Sequence, residues 1–292
     1  MKSRMTDRSF NVLNITFLAI IALITLFPIY YIFVVSFTDP DEYMTKGLVL
    51  FPQHWSLKSY QYLLSNSSFV RASGVSGFLA SVGTLLSLTV TAAGAYALSR
   101  KRLTGRKPIL MLILLTTLFQ PGLIPPYLLM RDLGLINSIW ALILPVLSSG
   151  WYVILMKGFF DSIPDSLEEA ATIDGYSDLG IWFRIILPLS LPAMAAFGLF
   201  YAVAYWNTFF AAVLYINNPE KWPLQILLQT LLIDSSSTAS GDIAQELASQ
   251  QRLPSETLKM AAVVIATVPI MMVYPFLQKH FAKGAMVGSV KG

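Results

Sequence analysis

Residue types able to do covalent or metal chemistry are scarce in this 292-residue chain, which has no cysteine and only two histidines, His54 and His280. Thiolate nucleophiles, disulfides and thiolate zinc sites are thereby excluded, and two histidines leave little for a metal site. No G-x-x-x-x-G-K-[ST] phosphate loop occurs. Gly105-Arg106-Lys107 lacks both the first glycine and the hydroxyl residue, so any ATP and its magnesium are expected on another subunit. No paired acid and base marks an active site, so neither catalytic nor metal-ligating residues are expected. The one dense group of chemistry-bearing side chains is acidic: Asp161, Asp165, Glu168, Glu169, Asp174 and Asp178, with no base until Arg184. Such a run suits electrostatic docking rather than bond breaking.

Within that acidic run the spacing predicts a short helix. Pro164 suits a first helical position, Asp165 and Glu168 suit the positive end of the helix dipole, and Gly175 can end the helix in a left-handed conformation. Ser166 with Glu169 also fits a capping box, which would start the helix two residues later. Leu167, Ala170 and Ala171 recur at i, i+3 and i+4 and form one small apolar face able to dock closely. Anionic lipid would repel this segment, whereas a basic protein groove would attract it.

The elements that must position it are set by composition. Hydrophobic residues make up 55% of the chain, charged residues only 12%, and mean hydropathy is +0.63. That balance is far from the roughly one-quarter charged usage of soluble domains, so lipid is the expected solvent. A spanning helix needs about 20 residues with almost no charge. Six charge-free runs qualify: Ser9 to Thr38, Ala72 to Ser99, Pro108 to Met130, Leu133 to Met156, Ile185 to Pro219, and Met260 to Gln278. Small residues Thr91-Ala92-Ala93-Gly94-Ala95 in the second run allow close helix approach. Prolines inside several runs imply kinks that neighbouring helices can satisfy.

Basic residues fix the orientation. With a cytoplasmic amino terminus, thirteen of the 20 lysines and arginines fall inside, and the short Arg100 to Lys107 loop is the densest cluster. Both termini are then cytoplasmic, and the net charge of +4 reflects membrane sidedness rather than nucleic-acid binding. The organisation expected is a cytoplasmic amino-terminal segment 1–12, a membrane domain 13–281, and a cytoplasmic tail 282–292. The domain carries an inward loop 157–184 and an external loop 217–256. No ionisable side chain lies inside a span, which argues against an ion-gradient pump.

The spacing Glu169-Ala170-Ala171, three residues, Gly175, nine residues, Ile185, one residue, Leu187-Pro188 resembles the cytoplasmic signature of permease subunits of bacterial ABC importers. The likeness covers nearly the whole chain, through Pro28-Ile29-Tyr30, Ala95-Tyr96-Ala97-Leu98-Ser99-Arg100, Tyr205-Trp206-Asn207, Pro223-Leu224-Gln225 and the ending Phe281 to Gly292. It looks like the carbohydrate-uptake group, on the side of the maltose importer's smaller permease, and like oligosaccharide permeases such as the second permease of an alginate importer.

That resemblance implies an all-α, type I importer permease with six transmembrane helices and a cytoplasmic coupling helix, in the bacterial inner membrane. It implies a second homologous permease, two ATPase subunits and an external solute-binding protein as partners, with an oligosaccharide, neutral or acidic, as cargo. ATPase coupling is expected at Glu168, Glu169, Ala170, Ala171, Asp174, Gly175, Leu187 and Pro188. Tyr205, Trp206 and Asn207 are candidates for the substrate path, against the plainer reading that such aromatics are packing. Lys283, Gly284 and Gly288 are candidates for a tail reaching the ATPase interface, where a short basic tail would otherwise be disordered. The alternative function is a secondary transporter or facilitator working without ATPase partners.

Overall fold

The computed structural model describes the backbone of residues 2–119, 121–233 and 255–288, and the side chains of 10–119, 121–232 and 256–273. The middle of the expected external loop therefore lies outside the described residues, as do the side chains of Lys283, Gly284, Gly288 and His280. Among the described residues the regular elements are helical, apart from one antiparallel bridge between Thr38 and Trp55.

In chain order the principal helices are α1 (Lys2–Ser36), α2 (Pro40–Lys46), α3 (Lys58–Ser65), α4 (Ser67–Ser99), α5 (Arg106–Leu118), α6 (Ile124–Asp132) and α7 (Trp140–Val146). They continue with α8 (Gly150–Asp161), α9 (Asp165–Ile173), α10 (Asp178–Leu189), α11 (Leu191–Trp206), α12 (Phe210–Tyr215), α13 (Leu224–Ile233) and α14 (Ser255–Gly288). The α14 backbone stays helical to Gly288, through most of the segment expected as a tail.

Three unbroken stretches are long and apolar enough to cross a bilayer: Phe10–Ser36, Ser67–Ser99 and Glu256–Val273. The other three charge-free runs are interrupted. The α7 and α8 axes differ by 52° across Leu147-Ser148-Ser149, and those of α10 and α11 by 80° at Ser190. Counting each bent pair as one span gives up to five. The remaining run divides into α5 and α6, because Pro121 has no N–H to donate and Gly122 turns the chain at φ +75°. At 16 residues, α11 reaches only about 24 Å of a roughly 30 Å hydrocarbon layer. Prolines do not break every helix, since Pro28 sits inside a continuous α1.

The chain forms two compact units, residues 1–70 with 228–268, and residues 71–227 with 269–292. In the first, the connection after α1 is organised by two acids. Asp39 accepts from the Asp41 N–H at 3.0 Å, starting α2, and pairs with Lys58 at 3.0 Å. Glu42, only 8% exposed, accepts from the backbone N–H groups of Gln53 (3.0 Å) and His54 (2.8 Å) and pairs with Lys46. These bonds, that from Gln53 foremost, hold the Glu42 carboxyl down at about 2. The segment joining α1 to α4 is thus ordered. Here α2, α3 and the carboxylate of Glu42 give it a fixed shape.

The second unit holds two apolar cores. One joins Leu98, Met156, Phe160, Ala171, Trp182 and Ile186, and the other joins Leu79, Met130, Ile143, Tyr201, Tyr205 and Tyr215. Helix α4 contributes to both, so it links the end bearing Arg100 to the end bearing the second core.

Candidate coupling site

Helix α9 is the short helix predicted from the acidic run. It starts at Asp165, with Pro164 preceding it as an extended cap and no side-chain cap bond, so the Ser166–Glu169 capping box does not form. Pro164 therefore lies just outside the first turn rather than in it. The end follows expectation: Gly175 adopts φ +82°, Tyr176 N–H donates to the Ala171 carbonyl at 3.0 Å, and Gly175 N–H donates to Thr172 at 3.0 Å. This paired closure satisfies the last carbonyls and demands a residue tolerant of the left-handed region.

The expected single apolar face is divided. Ala171 is 4% exposed and packs with Leu98, Phe160 and Trp182, while Leu167 is 42% exposed and Ala170 also faces outward. Ala171 thus seats α9 on its own chain, and the small side chain permits that approach. Leu187 packs partly against the same core and Pro188 is exposed, both in the last turn of α10 before the Ser190 break.

The basic loop after α4 is a partner the sequence reading did not assign to the acids. Arg100 pairs with Glu168, Lys101 with Asp165 (2.8 Å), Arg102 with Asp178 (2.5 Å) and Arg106 with Asp161 (3.6 Å), and Lys157 also pairs with Asp161. The Lys101 ammonium holds the Asp165 carboxyl below the usual range. Four acids of the run are thus neutralised within the chain. Glu169 and Asp174 are exposed, and their carboxylates have no hydrogen-bond or ion-pair partner among the described residues. An open cleft of about 550 Å³ separates α9 from the Ser99–Arg102 turn and is lined by Glu168, Glu169, Thr172 and Ile173 on the helix side. Ile173 is 86% exposed beside it. Sidedness counts flagged the Arg100 to Lys107 cluster in the sequence, but alternate pairing with the acids could only be read once the two loops met.

Of the substrate-path candidates on α11, Tyr205 is 2% exposed and its hydroxyl bonds Ser87 at 2.8 Å. Tyr201 is likewise buried and bonds Thr91 at 2.7 Å. A π-helical turn at Leu79–Gly83 brings Gly83 under the Tyr205 ring. Trp206 instead lines an apolar cavity of about 270 Å³ with Gly77, Ser81 and Pro269. Asn207 is exposed and accepts from the Gln225 amide at 3.1 Å. Among the described residues no group of three or more His, Cys, Asp or Glu could hold a metal ion.

Comparison with known proteins places these features in a family. Residues 1–287 match the family described as binding-protein-dependent transport system inner membrane component. The chain is 46% identical over 288 residues to the polygalacturonan/rhamnogalacturonan transport system permease protein YtcP of Bacillus subtilis, covering 99% of this chain and 100% of that one. It is 45% identical over 293 residues to protein LplC of the same organism, covering 100% and 98%. Among solved structures it superposes with a TM-score of 0.87 on a chain of a bacterial ABC transporter involved in import of the acidic polysaccharide alginate. That match is 34% identical and covers 94% of this chain and 98% of that one. The helical architecture with a short helix between broken spans is that of a type I ABC permease. The chain belongs to the inner-membrane permease components of binding-protein-dependent transport systems.

Proposed function

We propose that this chain is one of two permeases in an ATP-driven importer of oligosaccharides, with acidic uronate-containing oligomers as the cargo class. Two relatives support that class by their names, one a polygalacturonan and rhamnogalacturonan permease and the other a component of an alginate importer. A second permease supplies the other half of the pore, two ATPase subunits bind ATP and magnesium, and an external binding protein delivers the sugar. The membrane domain crosses six times, with the two bent pairs and the α5–α6 run each counted as one crossing. Both termini and α9 lie in the cytoplasm.

The observation that carries the coupling reading is the unequal treatment of the acids. Asp161, Asp165, Glu168 and Asp178 are held by bases of this chain, while Glu169 is exposed on α9 beside a cleft and Asp174 is exposed just past Ile173 at the helix end. A helix seated by Ala171 and presenting Glu169 fits a basic cleft in an ATPase. Gly175 and Ala170 keep that surface short and low. ATP-driven closure of the ATPase dimer then pushes α9, and the pore alternates between inward and outward access. Asn207 and Trp206 face the substrate path, and Tyr205 holds their helix in register. The tail around Lys283, Gly284 and Gly288 extends α14 toward the ATPase interface.

Reconstitution tests this directly. The assembled importer in proteoliposomes, given ATP inside and a binding protein loaded with galacturonate oligomers outside, should hydrolyse ATP faster and accumulate the oligomer. Accumulation independent of ATP would replace this reading by facilitated diffusion.

A further inference from the structure

Of the five ion pairs around α9, Arg100–Glu168 is the one most shielded on both sides, since Asp161, shared by Arg106 and Lys157, is 38% exposed. The side chains of Arg100 and Glu168 are 10% and 16% exposed, whereas Lys101 and Asp165 are 81% and 61% exposed and Arg102 and Asp178 are 61% and 67% exposed. Exposed pairs are screened by water and salt and hold little in place. A shielded pair is bound more tightly, and loss of one partner leaves a charge stranded.

Arg100 uses its whole guanidinium. Besides Glu168, it donates through Nε to Ser99 Oγ at 2.9 Å and through Nη2 to the Phe160 carbonyl at 3.4 Å, and its carbon lies 4.7 Å from the Tyr96 ring centre. Tyr96 in turn donates its hydroxyl to Glu168 Oε1 at 3.1 Å and packs on Trp182 at 4.5 Å between ring centres. Three elements meet at this point: the end of α4, the end of α8 and the first turns of α9. A planar fork with three separate partners fixes direction as well as distance, which a lysine cannot do.

From this junction α4 leads to the second core. Thr91 and Ser87, further back along α4, are hydrogen-bonded to Tyr201 and Tyr205 of α11, and α11 ends at Trp206 and Asn207. A push on α9 thus meets a shielded polar contact at the end of α4, and α4 is in turn hydrogen-bonded to α11 further along its length. We infer that the Arg100–Glu168 pair, backed by Tyr96, is the internal joint that carries displacement of α9 into α4, which makes both residues positioning residues for transport. The inference rests on the proposed contact of α9 with an ATPase, and it assigns to Glu168 a role distinct from that of Glu169.

The test is the amount of sugar imported per ATP hydrolysed by the complete importer in proteoliposomes. Glu168→Gln keeps the side-chain shape and removes the charge. It should leave the ATPase subunits co-purifying and lower the transport ratio roughly tenfold. An exposed-pair control, Arg131→Gln, should leave the ratio unchanged. Because the chain contains no cysteine, Arg100→Cys/Glu168→Cys can be bridged selectively with a short reducible bis-methanethiosulfonate linker once any cysteines of the partner subunits have been replaced. The bridged importer should keep a high ratio and lose it on reduction in the same vesicles, a change that a merely structural role would not produce. An assembled Glu168→Gln importer with an unchanged ratio, or a bridged variant indifferent to reduction, would overturn the joint. Should Glu168→Gln fail to assemble, the bridged variant decides. Failure of ATPase subunits to co-purify with the unaltered chain would instead refute the underlying ATPase contact, and the joint with it.

Discussion

Tyr205 lies on Gly83: a Cβ at position 83 would come within 2.8 Å of the Tyr205 ring carbon Cζ, closer than real side-chain contacts allow. The hydroxyl of the same ring is bonded to Ser87 one turn further along α4. Ring and hydroxyl together fix α11 against α4 in one register, and the π-helical turn at Leu79–Gly83 widens α4 where the ring must fit.

Gly83→Ala should therefore destabilise the assembled protein. The ring is enclosed and cannot move aside, so overpacking should cost about 1–3 kcal/mol, read as a lower melting temperature of the purified complex. Gly94→Ala, on the same helix with open space around it, should be neutral by the same measurement.

Tyr205→Phe separates packing from substrate contact. It leaves the buried Ser87 hydroxyl short of a partner, at a cost of about 1–3 kcal/mol, while the half-saturating sugar concentration for uptake stays unchanged. Asn207→Ala should do the reverse and raise that concentration with little effect on melting.

Glu169→Lys should abolish stimulation of ATP hydrolysis by loaded binding protein. The Arg100–Glu168 and Lys101–Asp165 pairs do not involve Glu169, so the permease itself should still fold and pair. Stimulated hydrolysis equal to that of the unaltered importer would sink the proposed contact.

Gly175→Ala places a side chain at φ +82° with no steric neighbour within 4 Å, so only the backbone resists. The cost expected is about 1–2 kcal/mol of helix-end strain. Gly175→Asn, a residue that visits the left-handed region more readily, should lose less. Hydrogen exchange at Gly175 and Tyr176 amides reports both.

Glu42 gives a pH signature outside the membrane. Its carboxyl titrates lower in the folded protein, at about 2, than its ordinary value of 4.5. Its contribution is therefore fully present above pH 4.5 and is lost as pH falls from there toward 2. Amide exchange at Gln53 and His54 should accelerate over that window, and Glu42→Gln should show the faster exchange already at neutral pH.

Much of this protein was legible from residue order. Charge-free runs identified the bilayer as solvent because desolvating a charge in hydrocarbon is prohibitive whatever the fold, and that energy depends on composition alone. The stop of α9 was legible for a similar reason, since Gly175 acts through its own backbone freedom, whereas its start at Asp165 matched neither Pro164 as first helical residue nor the Ser166–Glu169 capping box. The Glu169-Ala170-Ala171 spacing was equally local, and the family match bears out the resemblance it suggested.

Tertiary structure alone decided which charges remain available. A list of six acids and a list of five nearby bases do not say who pairs with whom, since pairing needs the ends of α4 and α8 to converge on α9. The same holds for the breaks. Pro28 passes through a continuous helix while the chain bends by 80° at Ser190, so neither a proline nor an apolar run says by itself where a helix breaks. Sequence fixes what each residue can pay for in isolation, whereas the fold fixes which remote partner is within reach.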